Sequence, residues 1–211
     1  MTYKTHLAIG LASVSTSVLI IQMAGTKLLT PLEFCVSLAV SVSASVLPDI
    51  DIDKSKPREV MNKLVKLIII GLIAGLGYSI YHKIDLWNLE TIKDTISRFW
   101  ALFVLCALLF AGTKSRHRHM THSILYCAVL TFLIYEITGI GYLTAAFGIS
   151  MLSHDLADLF NKRKVQLFWP MKGGVCLNLF KADSTFSNFI RMIAIIILTI
   201  TGINNIILMS I

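Results

Sequence analysis

Charge is what this chain has least of. Asp, Glu, Lys and Arg make up 15% of its 211 residues against 55% hydrophobic, with a mean hydropathy of +0.75, a balance that excludes an ordinary soluble domain. Nor do the apolar residues alternate with the 3.6- or 2-residue period of a half-buried element. Cysteine spacing is equally uninformative. Cys35, Cys106, Cys127 and Cys176 form no CxxC pair and fall mostly within apolar blocks. They read as small buried apolar residues, which leaves no basis for a zinc knuckle or a disulfide framework. There is no GxSxG, P-loop, Rossmann glycine fingerprint or HExxH helix, so serine hydrolase, nucleotide-binding and zincin chemistry lack a motif. Internal repeats and low-complexity tracts are missing too.

What the sequence does contain is long apolar runs. A membrane-crossing helix needs about 20 mostly apolar residues. The blocks Leu7–Ala24, Leu32–Leu47, Leu64–Tyr81, Phe99–Gly112, Ser123–Thr138, Ile140–Phe160 and Phe189–Met209 approach that length. They predict an all-α, polytopic transmembrane bundle of about six or seven helices, with residues 1–211 as one domain. The short blocks Leu32–Leu47 and Phe99–Gly112 are expected to be tilted, re-entrant or buried behind other helices. The first block has one lysine ahead of it and no small-x-small cleavage site, so it is expected to stay as a helix and not to be removed as a signal peptide.

The net charge of +7 does not point to nucleic acid, because the basic residues lie between apolar blocks and not along an amphipathic helix with interleaved aromatics. They fit contact with anionic lipid headgroups and the positive-inside rule. Three inter-block segments carry most of them: Lys54 to Lys66, Lys114 to Arg118, and Lys162 to Arg191. Lys27, Lys83, Lys93 and Arg98 fall in the alternate set, beside Asp85, Glu90 and Asp94. With seven helices, the N-terminus and the three basic segments face the cytoplasm and the C-terminus faces out.

On that topology the histidines and aspartates gather on the cytoplasmic side, His82 excepted. His154 and Asp158 stand four apart in SHDLAD and share a helix face, as an ion site or as a helix-end salt bridge. Asp155 points about 100° away, toward a supporting or surface role. His117, His119 and His122 crowd the start of an apolar helix that Thr121 or Ser123 can cap. Imidazole suits zinc and related metals, while Lys114, Arg116 and Arg118 suit a basic headgroup-facing loop equally well. Asp49, Asp51 and Asp53 follow a helix that ends near Pro48 and alternate as in an extended strand, all on one side, as a metal site or a solvated acidic turn. An EF-hand is excluded, since the central glycine and the twelfth-position glutamate are missing. His6 follows Thr5, a candidate cap for the first helix, and alone is an ordinary interfacial histidine. Phe168-Trp169-Pro170 reads as an interfacial aromatic anchor with a helix stop.

In order, Thr5-His6, Leu47-Pro-Asp49-Ile-Asp51, His117-Arg-x-x-Thr-His122-Ser, Ser153-His154-x-x-x-Asp158 and Leu167-Phe-Trp-Pro170 resemble the YdjM-type family of bacterial inner-membrane, metal-dependent hydrolases. The resemblance spans most of the chain. It implies His6, Asp49, Asp51, His117, His122, His154 and Asp158 as ligand and catalytic positions. His119 and Lys164 stand where the family typically has glycine, and the proline after the second aspartate is missing, with Asp53 nearby. The order of ligands also looks, more loosely, like the zinc-dependent phospholipase C and nuclease P1 group, which favours phosphoester hydrolysis. The intramembrane setting favours a lipid-borne substrate.

The expectation is therefore a hydrolase of the bacterial plasma membrane with its site facing the cytoplasm. Two or three divalent ions, zinc by the donor set, would be held by these residues, with membrane lipids as partners. Asp49 or Asp51 would serve as general base and Arg118 would hold a phosphate. The alternative is a metal transporter, or a regulatory membrane protein without hydrolysis. Transporters place ionisable groups near the midplane and often repeat their halves, whereas here the ligands fall at block ends.

Overall fold

The structure is a computed structural model that describes residues 1–25, 29–53, 55, 58, 59, 63, 66, 70 and 89–210, the last range by backbone alone up to residue 95. The expected block Leu64–Tyr81, together with Lys27, Lys54, Lys56, His82, Lys83 and Asp85, therefore lies outside the described residues or is represented by isolated positions. Among the described residues there are six α-helices and no strand: α1 (Tyr3–Met23), α2 (Pro31–Ala44), α3 (Leu89–Lys114), α4 (Ile124–Thr138), α5 (Gly141–Leu159) and α6 (Thr185–Ser210). Tyr3–Met23, Pro31–Asp51, Ile96–Lys114 and Thr185–Ser210 are long and apolar enough to cross a membrane.

The helices begin and end where side chains satisfy their free backbone groups. Thr30 and Glu33 form a reciprocal capping box ahead of Pro31, a residue whose fixed φ suits the first helical position. Ser123, not Thr121, caps α4 by accepting from the Tyr126 N–H at 3.2 Å. Gly139 ends α4 at φ 64°, a left-handed geometry that costs glycine nothing. At α1 the cap is Thr2 and not Thr5. Thr5 is fully buried, with its hydroxyl 3.4 Å from that of Ser187 on α6.

Helix α5 occupies the centre, packed against α1, α2 and α4; α6 lies against α1, and α3 against α4. The polarity of this bundle runs opposite to that of a soluble protein. Ile195, Ile200, Ile203 and Ile206 face outward, while Ser15, Ser41, Ser150, Thr201 and Asn205 are buried. The Ser41 and Ser150 hydroxyls meet at 2.7 Å, and Asn205 donates to the Ser15 carbonyl at 2.8 Å. Such polar contacts hold membrane helices together where apolar burial gives little drive, at about 0.6 kcal/mol each. Small residues also bring backbones close. A Cβ built on Gly10 of α1 would stand 2.5 Å from the Ser45 Cβ at the end of α2.

Two readings of local structure are corrected. Helix α2 ends at Ala44, before Pro48, and residues Leu47–Asp51 form a 3-10 turn, not a strand. In a 3-10 turn residues two apart diverge by about 120°, so Asp49 and Asp51 take different partners. Asp53 is exposed and pairs with Arg58. The Phe168-Trp169-Pro170 segment follows the end of α5 at Leu159 by several residues and stops no helix. As for the cysteines, all four are free, only Cys127 is buried, and Cys35 is exposed on the apolar exterior.

Candidate metal centre

One end of the bundle collects the start of α1, the turn after α2, the start of α4 and the last turns of α5. There the structure brings together His6, Asp49, Asp51, His117, His122, His154, Asp158 and Arg118. Three overlapping groups have one donor atom from each member within 4.8 Å of the others: His6, Asp49 and His154; Asp49, His117 and His122; and His122, His154 and Asp158. Two ligands of one ion, each about 2 Å from it, lie about 3–4 Å apart, so these groups need only a small contraction to hold a cation. Buried His and Asp groups at this spacing can bind a metal ion. His119 and Asp53 belong to none of the groups.

The hydrogen bonds orient three of the imidazoles. His154 Nδ1 donates to the Ser45 carbonyl at 2.7 Å. His117 Nδ1 donates to Asp51 Oδ1 at 2.9 Å. The Thr121 hydroxyl donates to Asp51 Oδ2 at 2.9 Å and can therefore accept from His122 Nδ1, 3.1 Å away. With each Nδ1 committed as a donor, a neutral ring presents the lone pair of its Nε2. For His122 and His154 that atom is buried and has no hydrogen-bond partner among the described residues. His122 Nε2 lies 3.5 Å from Asp49 Oδ1, and His154 Nε2 lies 3.8 Å from the same oxygen. An orphaned buried imidazole nitrogen facing a carboxylate is a costly arrangement without a cation and an ordinary one with it. The donor set fits a divalent metal on this ground.

His6 reaches the cluster from the first turns of α1. Its Nε2 is 3.2 Å from Asp158 Oδ1, and its ring stacks on that of His154 at 3.6 Å between centroids and 14° between planes. Burial pushes the pKa of His122 down, but the Asp49 carboxylate, with the charges of Asp155 and Asp51, overrides it and leaves that pKa above the ordinary histidine value. The field that would draw a proton there would also draw a cation.

The aspartates divide their work. Asp51 stands in none of the three groups. Its oxygens accept from His117, from the Thr121 hydroxyl and, at 3.1 Å, from the Arg118 backbone N–H. Asp49 faces the orphaned histidine nitrogens. Asp158 is the hub: Oδ1 meets His6, the Met1 amino nitrogen at 2.7 Å and Asn161 Nδ2 at 3.3 Å, while Oδ2 pairs with Arg118 Nη2 at 3.0 Å.

Arg118 sits at φ 66°, a region that is uncommon for a residue with a side chain. It is held there by Asp51, by Asp158 and by the Arg163 carbonyl, which accepts from Nη1 at 2.8 Å. Asp155 is not at the surface, because α4 packs over that flank of α5. It is fully buried, and neither oxygen has a hydrogen-bond partner among the described residues.

The sequence reading missed Asn161, Arg163, Lys181 and Ser184. These line, with Asp49, His117, Arg118 and Asp158, a cavity of about 620 Å³. The loop that supplies them is tied back to the bundle by Gln166 N–H to the Arg118 carbonyl at 2.9 Å and by Ile124 N–H to the Leu167 carbonyl at 3.0 Å. No periodicity marks loop residues of this kind. Their one signal was the basic run beginning at Lys162.

Residues 1–211 match the family model described as YdjM inner membrane protein. The chain belongs to that family. No curated protein and no solved structure matches it. For this YdjM-family chain, the match and the four long apolar helices make it a membrane protein of the inner-membrane type. The motifs quoted from the sequence supply the residues of the cluster.

Proposed function

We propose that this YdjM-family protein is a metal-dependent hydrolase that cleaves a lipid-borne phosphoester at the cytoplasmic face of the membrane. The observation that carries the reading is the set of histidine nitrogens left unpartnered around Asp49, beside a cavity rimmed by Arg118, Lys162, Arg163 and Lys181. His6, Asp49, His117, His122, His154 and Asp158 are the proposed ligands, and two or three zinc ions are the proposed complement. A bound divalent cation would supply Lewis acidity, easing loss of a proton from water and offsetting charge on a phosphoryl oxygen.

The remaining chemistry belongs to the chain. Asp49, beside the Nε2 atoms of His122 and His154, is the proposed general base. Asp51, already saturated by its donors, is a positioning residue that fixes the His117 ring and the Arg118 backbone. Arg118 pairs with Asp158 through Nη2 at 3.0 Å and is one of the residues lining the cavity. There a phosphoryl oxygen can accept from it. The basic rim favours an anionic headgroup and agrees with the loop-charge bias that supports a cytoplasmic placement of this end. The looser likeness to the zinc phospholipase C and nuclease P1 group supports a phosphoester over other bonds. Placement of the cluster at helix ends argues against transport, which uses the midplane.

The test is elemental analysis of purified protein followed by phosphate-release assays. Substrates are phospholipids, isoprenoid phosphates and a simple phosphodiester, each with and without chelator. Stoichiometric metal that is lost in His122→Ala and Asp158→Ala, with chelator-sensitive turnover, is the expected result. Metal-free protein would sink the proposal, and metal-replete protein inert on every ester would leave binding without hydrolysis.

A further inference from the structure

A second cavity lies behind the site. It is a groove of about 740 Å³ between α1, α5 and α6, lined by apolar side chains such as Ala157, Phe160, Leu179, Phe186 and Ile193. The groove and the basic cavity share Met1 in their walls. Elsewhere they take neighbouring residues: Asp158 faces the basic cavity and Ala157 the groove, while Lys181 and Ser184 face the first and Leu179 and Phe186 the second. The two spaces therefore adjoin at Met1, with one turn of α5 and a short stretch of loop between them.

Along α6 the groove wall runs from Phe186 to Ile197, about 17 Å at a rise of about 1.5 Å per residue, close to half of a hydrocarbon core about 30 Å thick. That is the depth of a single leaflet. Ser13 and Ser17 of α1, both half-buried, open space along the opposite wall, where longer side chains would fill it. Phe160, Phe186 and Leu179 around the loop end are 40%, 50% and 59% exposed. Large apolar surface left open beside a strongly basic cavity is a pattern suited to a molecule with a hydrocarbon chain and an anionic head.

We propose that this groove holds one hydrocarbon chain of a phosphate-headed membrane lipid whose head occupies the basic cavity. The inference rests on the hydrolase reading only for what happens to the head. The chain enters sideways between α5 and α6 from the leaflet that contacts the site. Its length within the groove sets how far the phosphoryl group can reach toward Arg118.

The experiment uses the metal-loaded full chain in phosphatidylcholine nanodiscs and a long-chain alkyl phosphate with a photoreactive diazirine near the chain end. The matching alkyl alcohol serves as the neutral comparison. Cross-links mapped by mass spectrometry are expected on α1 around Ser13–Ser17 and on α6 around Ile193–Ile197. They should be several-fold stronger for the phosphate than for the alcohol and reduced several-fold in Ser13→Phe and Ser17→Phe. Unchanged metal content and elution volume would show that these variants still fold. Labelling spread evenly over the bundle, or equal for the two heads, overturns the proposal. Groove labelling with no phosphate release from this probe or from any of the esters named above would retire the hydrolase reading and leave the groove standing. Phosphate release with labelling elsewhere would do the reverse.

Discussion

Replacing Gly10 by alanine would disturb the candidate centre from outside it. The added Cβ would stand 2.5 Å from the Ser45 Cβ, whereas carbon atoms settle about 3.5–4.0 Å apart. The end of α2 must therefore retreat by about 1–1.5 Å. Ser45 carries the carbonyl that accepts from His154 Nδ1 at 2.7 Å, and such a retreat stretches the bond to about 4 Å, past the limit of a hydrogen bond. Overpacking of this size costs about 1–3 kcal/mol of stability. Freeing a ligand histidine from the group that orients it weakens metal binding by about 10- to 100-fold. Isothermal titration with zinc on chelator-stripped protein measures the affinity, and thermal melting in the same detergent measures the stability. The double variant Gly10→Ala with Ser45→Gly removes the Cβ and the hydroxyl that clash but keeps the carbonyl, so it should recover most of both losses. Wild-type affinity in the single variant, or no recovery in the double one, would refute the argument that Gly10 holds the His154 imidazole in place.

Three further outcomes follow from the same geometry. Asp51→Asn should lower zinc affinity by about 10- to 100-fold while leaving the number of bound ions unchanged, because Asp51 orients His117; Asp49→Asn should reduce that number, as native mass spectrometry can count. Asp155→Asn removes a fully buried carboxylate with no hydrogen-bond partner among the described residues. It should hold or raise the melting temperature of chelated protein while lowering zinc affinity, and a lower melting temperature would mean that the charge is compensated in the fold. In metal-free protein His122 has a pKa above its unfolded value of about 6.5. Its stabilising contribution is then fully present below that value and is lost as pH rises through the higher folded pKa. Melting curves from pH 6 to 9 should show this decline in wild type and a flatter profile in His122→Gln; parallel profiles would rule it out.

Much of the fold was legible because hydropathy sets membrane helices directly. The blocks from Leu7, Ser123, Ile140 and Phe189 match α1, α4, α5 and α6 within a few residues. Helix α3 begins at Leu89, ten residues before the apolar run at Phe99, since a helix can continue past the hydrocarbon into polar sequence. The candidate site was legible for a different reason: a histidine or aspartate at the end of an apolar run is costly enough to need an explanation. What the sequence hid was tertiary. The alternation in Asp49-Ile-Asp51 looks like a strand, and only the groups on two sides, the Nε2 atoms of His122 and His154 near one carboxylate and the donors His117 and Thr121 at the other, select a 3-10 turn. The 100° offset of Asp155 from His154 was correct, yet it says nothing about which helix covers that flank. Thr2 and Thr5 are equally good caps in sequence; Ser187 on α6 claims the second.

Asp158 draws its partners from distant parts of the chain, with His6 and Arg118 both within 3.2 Å of its carboxylate. A chain inserted from its N-terminus presents His6 first and must hold it until α5 has followed. No product that stops short of Asp158 can assemble the centre. Ribosome-bound intermediates stalled before Asp158 should stay open to modification at His6, and closure of the cluster would then mark the moment at which the bundle becomes a single cooperative unit.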